Sequence, residues 1–341
     1  MFKIIIVGCG GRSKTWIAYA LSRNDCEIVG LVDLVFENAE KRAMEYHLNC
    51  PIFTNIQEAL TKCDGNLVFD VTIPESHRNV VTRAISKGLN VMGEKPMATT
   101  MEEVMEVLKT VQGSKNSYFV MQNRRYLKNI RAFRKLVESG MIGTSGFLRA
   151  DFFLGAHFGG FRDMMDSPLI LDMAIHTFDQ ARFILGSDPV AVYCQEFNPQ
   201  GSWYKGNSSA SCIFEFSNGC IFSFNGSWSC EGLNTSWESD WRLQGSIGSA
   251  KWDGFNLPQY EIVKPGVKKF VNDFELKTVE DKWLSREGHL GCLDEMFDAL
   301  INNRKAETDC TDNIKSMAMV FGALKSSKEQ RKVYLKELYN S

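Results

Sequence analysis

The residues best suited to chemistry lie on one apolar stretch of the sequence, residues 167–186. A serine and a proline at its start and a glycine at its end predict a helix over this stretch, and its apolar composition predicts that the helix is buried. Asp172, His176 and Asp179 interrupt the apolar pattern at positions i, i+4 and i+7. Side chains at this spacing share a helix face, with Cβ atoms roughly 5–6 Å apart. The sequence therefore predicts one ionisable stripe on a buried helix.

Burying an ionisable side chain without a partner is costly, so this stripe must face polar groups or a ligand. A histidine titrates near neutral pH and can accept a proton, while a neighbouring carboxylate can orient the imidazole ring. The alternative is a core histidine that is satisfied by its own helical neighbour. Because the same chain carries a nucleotide-binding pattern, we favour the interpretation that Asp172 and His176 form a catalytic pair.

The nucleotide-binding pattern occupies residues 2–33. An apolar run of strand length leads into a glycine loop, a helix and a second apolar strand that ends in Asp33, which is the layout of a dinucleotide-binding unit. Gly8 allows the tight turn, Gly10 lets the backbone approach a pyrophosphate, and Asp33 is placed to hold the ribose hydroxyls of NAD. Ser13 stands where a third glycine is usual, so we expect slightly looser packing of helix on strand there. S-adenosylmethionine enzymes share this opening pattern, which by itself leaves both classes possible.

Three further motifs follow predicted strands, at residues 74–77, 94–96 and 124–125. Ligands of open α/β sheets bind at the carboxyl ends of the strands, so these motifs should crowd around one crevice with the glycine loop. Pro96 favours an extended backbone at Lys95, which would hold this lysine beside the cofactor. The predicted cofactor-binding residues are Gly8, Cys9, Gly10, Gly11, Arg12, Ser13, Asp33, Thr72, Ile73, Pro74, His77, Glu94, Lys95 and Gln122.

The elements that must position these residues fall into two parts. Strands and helices alternate through residues 1–122, which predicts an α/β Rossmann domain with a doubly wound parallel sheet. Residues 123–341 contain short strands, including a hairpin at residues 211–224, and predict an α+β domain with a large, mostly antiparallel open sheet. We expect the terminal helices, residues 284–330, to pack back toward the domain interface.

Composition excludes several classes of partner. The chain has a formal net charge of −2, 44% hydrophobic and 23% charged residues, without a basic block, so we expect neither nucleic acid nor membrane as a partner. The first predicted strand begins at residue 2, so we expect no signal peptide. The ten cysteines form no C-x-x-C pair and no metal-binding pattern, which is typical of reduced thiols in a cytoplasmic protein. Aromatic strands between residues 147 and 252 predict a homo-oligomer, a dimer or tetramer.

Six motifs occur in order over essentially the whole chain: Gly8-Cys9-Gly10-Gly11, Pro74-x-x-His77, Glu94-Lys95-Pro96, Arg124-Arg125-Tyr126, Asp172-x-x-x-His176 and Glu287-Gly288-His289. This set resembles the Gfo/Idh/MocA family of oxidoreductases. The resemblance implies oxidation of a sugar or polyol carbinol by NAD or NADP, with Lys95, Asp172 and His176 as the catalytic residues. The chain departs from the family pattern at Ser13 and at residues 167–170, where many members have a glycine run.

In such a reaction His176 would accept the hydroxyl proton, Asp172 would orient the imidazole, and Lys95 would stabilise negative charge on the same oxygen. His157 lies in a glycine-rich stretch that could be a lid or a plain surface loop. The predicted substrate-binding residues are Lys95, Arg124, Tyr126, His157, Arg162, Asp172, His176 and Asp179.

The coenzyme and the net reaction are predicted as follows. Asp33 would repel the 2′-phosphate of NADP, so we expect NAD as the cofactor and NADP to be less favourable, with Arg12 as the cation that could offset this. One alternative function is an enzyme that retains NAD and oxidises its sugar transiently for elimination or glycoside cleavage. Another is a non-catalytic sensor of NAD(H).

Overall fold

The computed structural model describes residues 1–266, 268–280 and 283–339. The chain divides into two compact units, Met1–Asn123 with Gly288–Ile314, and Arg124–Glu287 with the chain from Lys315 onward. The domain boundary between residues 122 and 123 stays a prediction, because a compact unit defined by its internal contacts need not fold on its own.

The first unit is built on a six-stranded parallel sheet with the strand order β3-β2-β1-β4-β5-β6. This is the doubly wound Rossmann order, in which the chain reverses direction across the sheet between β1 and β4. The predicted fold class of this unit is confirmed, although the short strand β3 was missed. The strands are β1 (Phe2–Val7), β2 (Cys26–Val32), β3 (Ile52–Phe53), β4 (Leu67–Asp70), β5 (Asn90–Gly93) and β6 (Tyr118–Val120).

Two helices of the first unit begin at a side-chain N-cap. The side chain of Asn55 accepts a hydrogen bond from the N–H of Gln57, and that of Thr100 accepts one from Glu103, as N-caps do. The α-helices are α1 (Ser13–Leu21), α2 (Phe36–Glu45), α3 (Ile56–Lys62), α4 (Pro74–Ser86), α5 (Met101–Gln112), α6 (Lys128–Glu138), α7 (Ile175–Leu185), α8 (Gly288–Ile301) and α9 (Cys310–Glu329).

The second unit contains a nine-stranded sheet with the order β14-β13-β12-β11-β7-β10-β9-β8-β15. Its neighbouring strands are antiparallel except for β7 and β10, which are parallel, so the predicted mostly antiparallel open sheet is confirmed. The sequence did not predict the two edge strands, β14 and β15. The strands are β7 (Ser145–Phe153), β8 (Pro189–Phe197), β9 (Ser209–Phe216), β10 (Ile221–Ser227), β11 (Asp240–Gly245), β12 (Gly248–Trp252), β13 (Gln259–Val263), β14 (Phe274–Thr278) and β15 (Val333–Tyr334).

The helix α7 lies against one face of this sheet. The ring of Phe178 packs edge-on against Phe214 of β9 and Phe224 of β10, with centroid separations of 4.8 and 5.3 Å. Alternate residues of the same strands face the opposite side and are exposed or half-buried, as in a sheet with one buried face. The buried face therefore fixes the rotation of α7 and the direction of its polar stripe.

The predicted helix over residues 167–186 is in fact two helices in continuation. Leu169–Ala174 is π-helical, and α7 then continues to Gly186, whose φ of +56° ends it. Four residues make nearly one revolution in both helix types, so Asp172 and His176 still share a face. Isolated π-helical turns are rare and are often found at functional sites.

Candidate active site

The glycine loop that follows β1 has the shape that a dinucleotide pyrophosphate requires. Gly8 has a φ of +91°, and a Cβ atom there would lie 2.5 Å from the carbonyl oxygen of Val71, so only glycine fits. A Cβ atom on Gly10 or Gly11 would meet no described atom within 4 Å, so the space over these residues is open. The N-terminus of α1 follows at Ser13. Backbone N–H groups and the helix dipole favour an anion here, and the loop therefore fits the pyrophosphate of NAD.

Asp33, directly after β2, is tied to this loop. Its Oδ2 accepts a hydrogen bond of 2.8 Å from the backbone N–H of Cys9, and its Oδ1 accepts one of 2.9 Å from Val35. The side-chain amide of Asn38 donates to the same Oδ1 at 3.2 Å. The half-buried carboxylate thus lies beside the glycine loop, where the sequence predicted an acid for the ribose hydroxyls.

Ser13 is hydrogen-bonded within the glycine loop, and the expected looser packing of helix on strand stays a prediction. It is fully buried, and its hydroxyl donates to the carbonyl of Gly10 at 2.6 Å. Arg42 of α2 donates to the Ser13 hydroxyl at 3.2 Å and to the Gly10 carbonyl at 3.1 Å. Arg42 was not among the predicted site residues, because its only local signal was a basic residue on the second helix of a Rossmann unit.

Arg12 and Glu94 make contacts around α1. The Nη1 of Arg12 lies 3.5 Å from Nε2 of His289, and its Nε lies 3.9 Å from the Glu94 carboxylate. Glu94 is buried and accepts a hydrogen bond of 2.9 Å from the indole of Trp16. Glu94 therefore fixes the position of α1 through Trp16, and Arg12 lies close to both His289 and Glu94.

A buried ion pair fixes the end of β4. The Nδ1 of His77 lies 2.8 Å from the Asp70 carboxylate, and both side chains are fully buried. Burial lowers the pKa of His77, but the charge and hydrogen bond of Asp70 outweigh burial and raise that pKa overall. Thr72 donates to Asp70 at 2.6 Å, while Ile73 is exposed and Pro74 begins α4. This arrangement favours a structural role for the His77 ring and leaves the loop over residues 72–74 for ligand contact.

Lys95 and Gln122 follow the adjacent strands β5 and β6 at the same edge of the sheet. Lys95 is half-buried and precedes Pro96 through a cis peptide bond. Gln122 is buried, and both polar atoms of its amide lack a hydrogen-bond partner among the described residues. A buried amide without partners fits a ligand that offers both a donor and an acceptor. These two residues lie at the carboxyl edge of the parallel sheet, and their contact with the cofactor stays a prediction.

In the second unit, Asp172 is paired with Arg162. The Nε of Arg162 donates to Oδ2 of Asp172 at 2.7 Å. The guanidinium also lies over the rings of Phe158 and Phe161, with 5.0 and 4.7 Å to the centroids. Arg162 belongs to the 3-10 helix Gly160–Met164, so this short helix presents a cation to the π-helical turn that carries Asp172.

Arg124 and Glu238 form a second ion pair of the same cluster. Arg124 lies 3.3 Å from the Glu238 carboxylate and donates to the carbonyl of Trp237. Burial lowers the pKa of Arg124, while the negative charges of Glu238 and Asp172 oppose that shift. Gln180 of α7 donates to Glu238 at 2.9 Å. The cluster thus contains two guanidiniums and two carboxylates, and neither Glu238 nor Gln180 was among the predicted site residues.

His176 is the second residue of α7 and is largely buried. It lies on the helix face that also carries Asp172. The predicted pair therefore remains on one face of a helix that the sheet holds in place.

Asp179 has a different environment from Asp172. Its carboxylate accepts hydrogen bonds from Arg125 at 2.6 and 2.8 Å and from Ser316 at 2.6 Å, and Arg182 lies 3.8 Å away. The Asp179 side chain is 2% exposed. These contacts favour a structural role for Asp179, which was predicted as a substrate-binding residue.

Tyr126 and His157, two other predicted substrate-binding residues, have defined neighbours. Tyr126 is buried, and the guanidinium of Arg131 lies 4.5 Å from its ring centroid. His157 lies 2.7 Å from Glu231 and stacks on Trp203 at a centroid distance of 3.7 Å. Tyr126 therefore packs in the interior against Arg131. His157 is held by Glu231 and Trp203, although its loop is rich in glycine.

The described part of the chain shows neither a membrane-spanning helix nor a metal cluster. Within residues 1–266, 268–280 and 283–339, no helix is both long enough and apolar enough to cross a membrane. In the same ranges, no group of three His, Cys, Asp or Glu side chains is arranged to hold a metal ion.

The Rossmann strand order, the open glycine loop and the acid at the end of β2 define a dinucleotide-binding protein. The chain belongs to the GFO/IDH/MocA family. Residues 2–122 match the family model described as "Oxidoreductase family, NAD-binding Rossmann fold", and residues 130–251 match the "GFO/IDH/MocA C-terminal domain". The resemblance seen in the sequence is thereby confirmed, and NAD is the cofactor of this fold.

Named relatives agree with this assignment. The chain is 26% identical over 192 residues to inositol 2-dehydrogenase/D-chiro-inositol 3-dehydrogenase of Lacticaseibacillus casei, and this match spans 56% of the chain and only 55% of that protein. It is 26% identical to D-apiose dehydrogenase of Rhizobium rhizogenes, over 79% of the chain and 80% of that protein. A crystal structure of an oxidoreductase from Agrobacterium radiobacter in complex with NAD+, L-tartaric acid and magnesium has the same fold, with a TM-score of 0.86, 21% identity and 99% of both chains covered.

Proposed function

We propose that the protein transfers a hydride between a carbinol of a sugar, sugar derivative or polyol and NAD. The observation that carries this proposal is the placement of Asp172 and His176 on one face of two continuous helices, in a chain with an NAD-binding Rossmann fold. An acid and a histidine so placed are suited to remove the proton of a hydroxyl group.

The charges of the cluster support an uncharged, polyhydroxylated substrate. Arg124 and Arg162 are balanced by Glu238 and Asp172, so the ion pairs contribute no net charge, yet they offer hydrogen-bond donors and acceptors for several hydroxyl groups. Gln180 adds an amide to this set. The relatives named after inositol and D-apiose act on molecules of this kind, which supports the same substrate class here.

NAD, when bound, supplies the carbon that accepts the hydride. His176 takes the hydroxyl proton, because the ring of a histidine can change its charge near neutral pH. Asp172 orients the imidazole and stabilises its charged form, and Arg162 holds the Asp172 carboxylate in place. We assign to Lys95 the stabilisation of developing negative charge on the substrate oxygen.

We also propose a preference for NAD over NADP. The carboxylate of Asp33 beside the glycine loop would repel a 2′-phosphate. Arg42 is bonded to the loop itself and is not available to a 2′-phosphate. Arg12 contacts His289 and Glu94 but is 59% exposed, so it stays the one cation named above that could offset the repulsion.

The test is to purify the protein, assay it for bound NAD(H), and then screen neutral sugars and polyols by the absorbance of reduced nicotinamide. Sugar acids form the matched control set, because they add one negative charge to a similar hydroxyl pattern. Net reduction with neutral substrates and weaker activity with the acids supports the proposal. Product formation without net reduction would indicate an enzyme that oxidises its substrate only transiently, and bound NAD(H) without turnover would indicate a sensor. A cytoplasmic location stays a prediction.

A further inference from the structure

Arg42 is nearly buried beside the glycine loop, and its guanidinium is engaged on three sides. Its Nε donates to the hydroxyl of Ser13 at 3.2 Å and its Nη2 donates to the carbonyl of Gly10 at 3.1 Å. Its Nη1 donates to Glu45 at 2.5 Å, and the arginine side chain is 7% exposed. Such a buried fork fixes the atoms that it binds, because releasing one of them would leave a buried charge unsatisfied.

The Gly10 carbonyl accepts one of these bonds. It also accepts hydrogen bonds from the hydroxyl of Ser13 at 2.6 Å and from the backbone N–H of Ser13 at 3.3 Å. In a planar trans peptide, the carbonyl of Gly10 and the N–H of Gly11 point in opposite directions. Holding the carbonyl toward α2 therefore turns the Gly11 N–H away from α2. A Cβ atom on Gly11 would meet no described atom within 4 Å, so the space beside this residue is open to a ligand.

We infer that Arg42 is a positioning residue for NAD: it holds the Gly10 carbonyl so that the Gly11 N–H is aimed at the pyrophosphate. Without the guanidinium, only Ser13 holds the Gly10 carbonyl, so the Gly10–Gly11 peptide rotates more easily. The rotated peptide would present its carbonyl oxygen to the phosphates, which both repels them and removes a donor. Arg42 and Ser13 thus stabilise a loop that lacks the usual third glycine. This role rests on the NAD-binding fold and is independent of the substrate and reaction proposed above.

The experiment measures NAD affinity of the full-length protein, stripped of nucleotide, by calorimetry. Arg42→Met removes the hydrogen bonds to Gly10 and Ser13, and we expect NAD to bind roughly 10- to 100-fold more weakly, since hydrogen bonds to a charged group are strong. ADP-ribose should lose the same factor as NAD, because it shares the pyrophosphate but lacks the nicotinamide. Arg42→Lys keeps the charge without the fork, and we expect it to bind NAD roughly 3- to 10-fold more weakly than the wild type.

Glu45→Gln is the matched control. It removes the ion-pair partner of Arg42 and leaves the bonds to Gly10 and Ser13, so NAD affinity should stay within about twofold of the wild type even if the melting temperature falls. Wild-type affinity in folded Arg42→Met, or in Arg42→Lys, would overturn the positioning role. An equal loss in Glu45→Gln would also overturn it, because the effect would then come from the stability of α2. If Arg42→Met does not fold, Arg42→Gln takes its place with the same expected loss.

Discussion

Asp172 and Asp179 are two carboxylates on the same helical stripe, and we predict that replacing each by asparagine has opposite consequences. Asp172 pairs with Arg162 at a partly exposed position, with side-chain exposures of 20% and 34%. Asp179 is bonded to Arg125 and Ser316 in the core. The first change should affect turnover with little effect on stability, and the second should affect stability with little effect on turnover.

The cost of Asp179→Asn follows from its burial. The substitution removes the counter-charge of Arg125, whose side chain is 7% exposed, and breaking a buried ion pair costs about 3–5 kcal/mol. A change of 1 kcal/mol shifts the melting temperature of a unit of roughly 150–250 residues by about 2–4 °C, so we expect a decrease of about 6–20 °C.

The cost of Asp172→Asn follows from the proposed chemistry. A partly exposed ion pair contributes below about 1 kcal/mol, so the melting temperature should change by less than about 4 °C. Turnover should fall roughly 10²–10⁴-fold, because the imidazole of His176 loses the charge that orients it. His176→Ala should lower turnover by a similar factor, since the proton acceptor is removed.

The assay pairs thermal melts of each variant with turnover per folded molecule at a temperature below all transitions. Asp179→Asn is the control that shows what a purely structural carboxylate on this face does. Wild-type turnover in folded Asp172→Asn or His176→Ala would show that the base is misassigned. A large loss of turnover in folded Asp179→Asn would refute the structural role of this carboxylate.

Four further predictions concern other parts of the molecule. Lys95→Ala should slow hydride transfer yet leave the Kd for NAD within about twofold of the wild type, because the pyrophosphate binds at the glycine loop; calorimetry beside single-turnover kinetics tests this. Asp33 should make kcat/KM higher with NAD than with NADP, and equal values for both coenzymes would contradict the repulsion. Burial raises the pKa of Glu196 to about 7, so the folded protein holds the Glu196 proton at pH values where the unfolded chain, with an ordinary pKa of about 4, has released it. The protonated side chain therefore contributes its full stability below about pH 4, and this stability is lost as the pH rises to about 7. Glu196→Gln stays neutral and should therefore exceed the wild type in unfolding free energy by about 3 kcal/mol at pH 8 and by less than about 1 kcal/mol at pH 5, measured by urea denaturation. On the open face of the second sheet, Tyr193, Ile213 and Phe197 are 43%, 49% and 47% exposed, so we expect this face to form a subunit interface. Light scattering should show a dimer or tetramer that Ile213→Asp weakens. A wild-type monomer at micromolar concentration would refute this interface.

Local chemistry accounts for what the sequence determined by itself. Gly8 marked the tight turn, because its left-handed backbone and its contact with Val71 exclude a side chain. The order of apolar runs and amphipathic stretches predicted an α/β fold for the first unit and an α+β fold for the second. The spacing of apolar residues is set within a single strand or helix, so it can be read from the sequence. The four-residue spacing of Asp172 and His176 was enough to place them on one face. Each of these inferences depends on residues that are close in the chain.

Three strands and one π-helical turn were not predicted, because their local sequence signals are weak. The strands β3 and β15 contain two residues each, too few to show a period. The strand β14 is an edge strand whose residues are mostly exposed, so its sequence has no buried face to reveal. The π-helical turn before α7 differs from an α-helix by a shift of one hydrogen-bond position, which composition does not record.

Only the tertiary structure decided which charged groups became partners. Arg42 and Ser13 are 29 positions apart, Arg125 and Asp179 are 54 apart, and Ser316 reaches Asp179 across 137 positions. A sequence shows that each of these side chains can form an ion pair or a hydrogen bond, but many pairings satisfy the same charges. Chain packing selects one pairing by bringing particular groups within hydrogen-bond distance and removing water from around them. That selection placed Asp172 in a partly exposed cluster and buried Asp179 among structural partners, although the two carboxylates share one stripe.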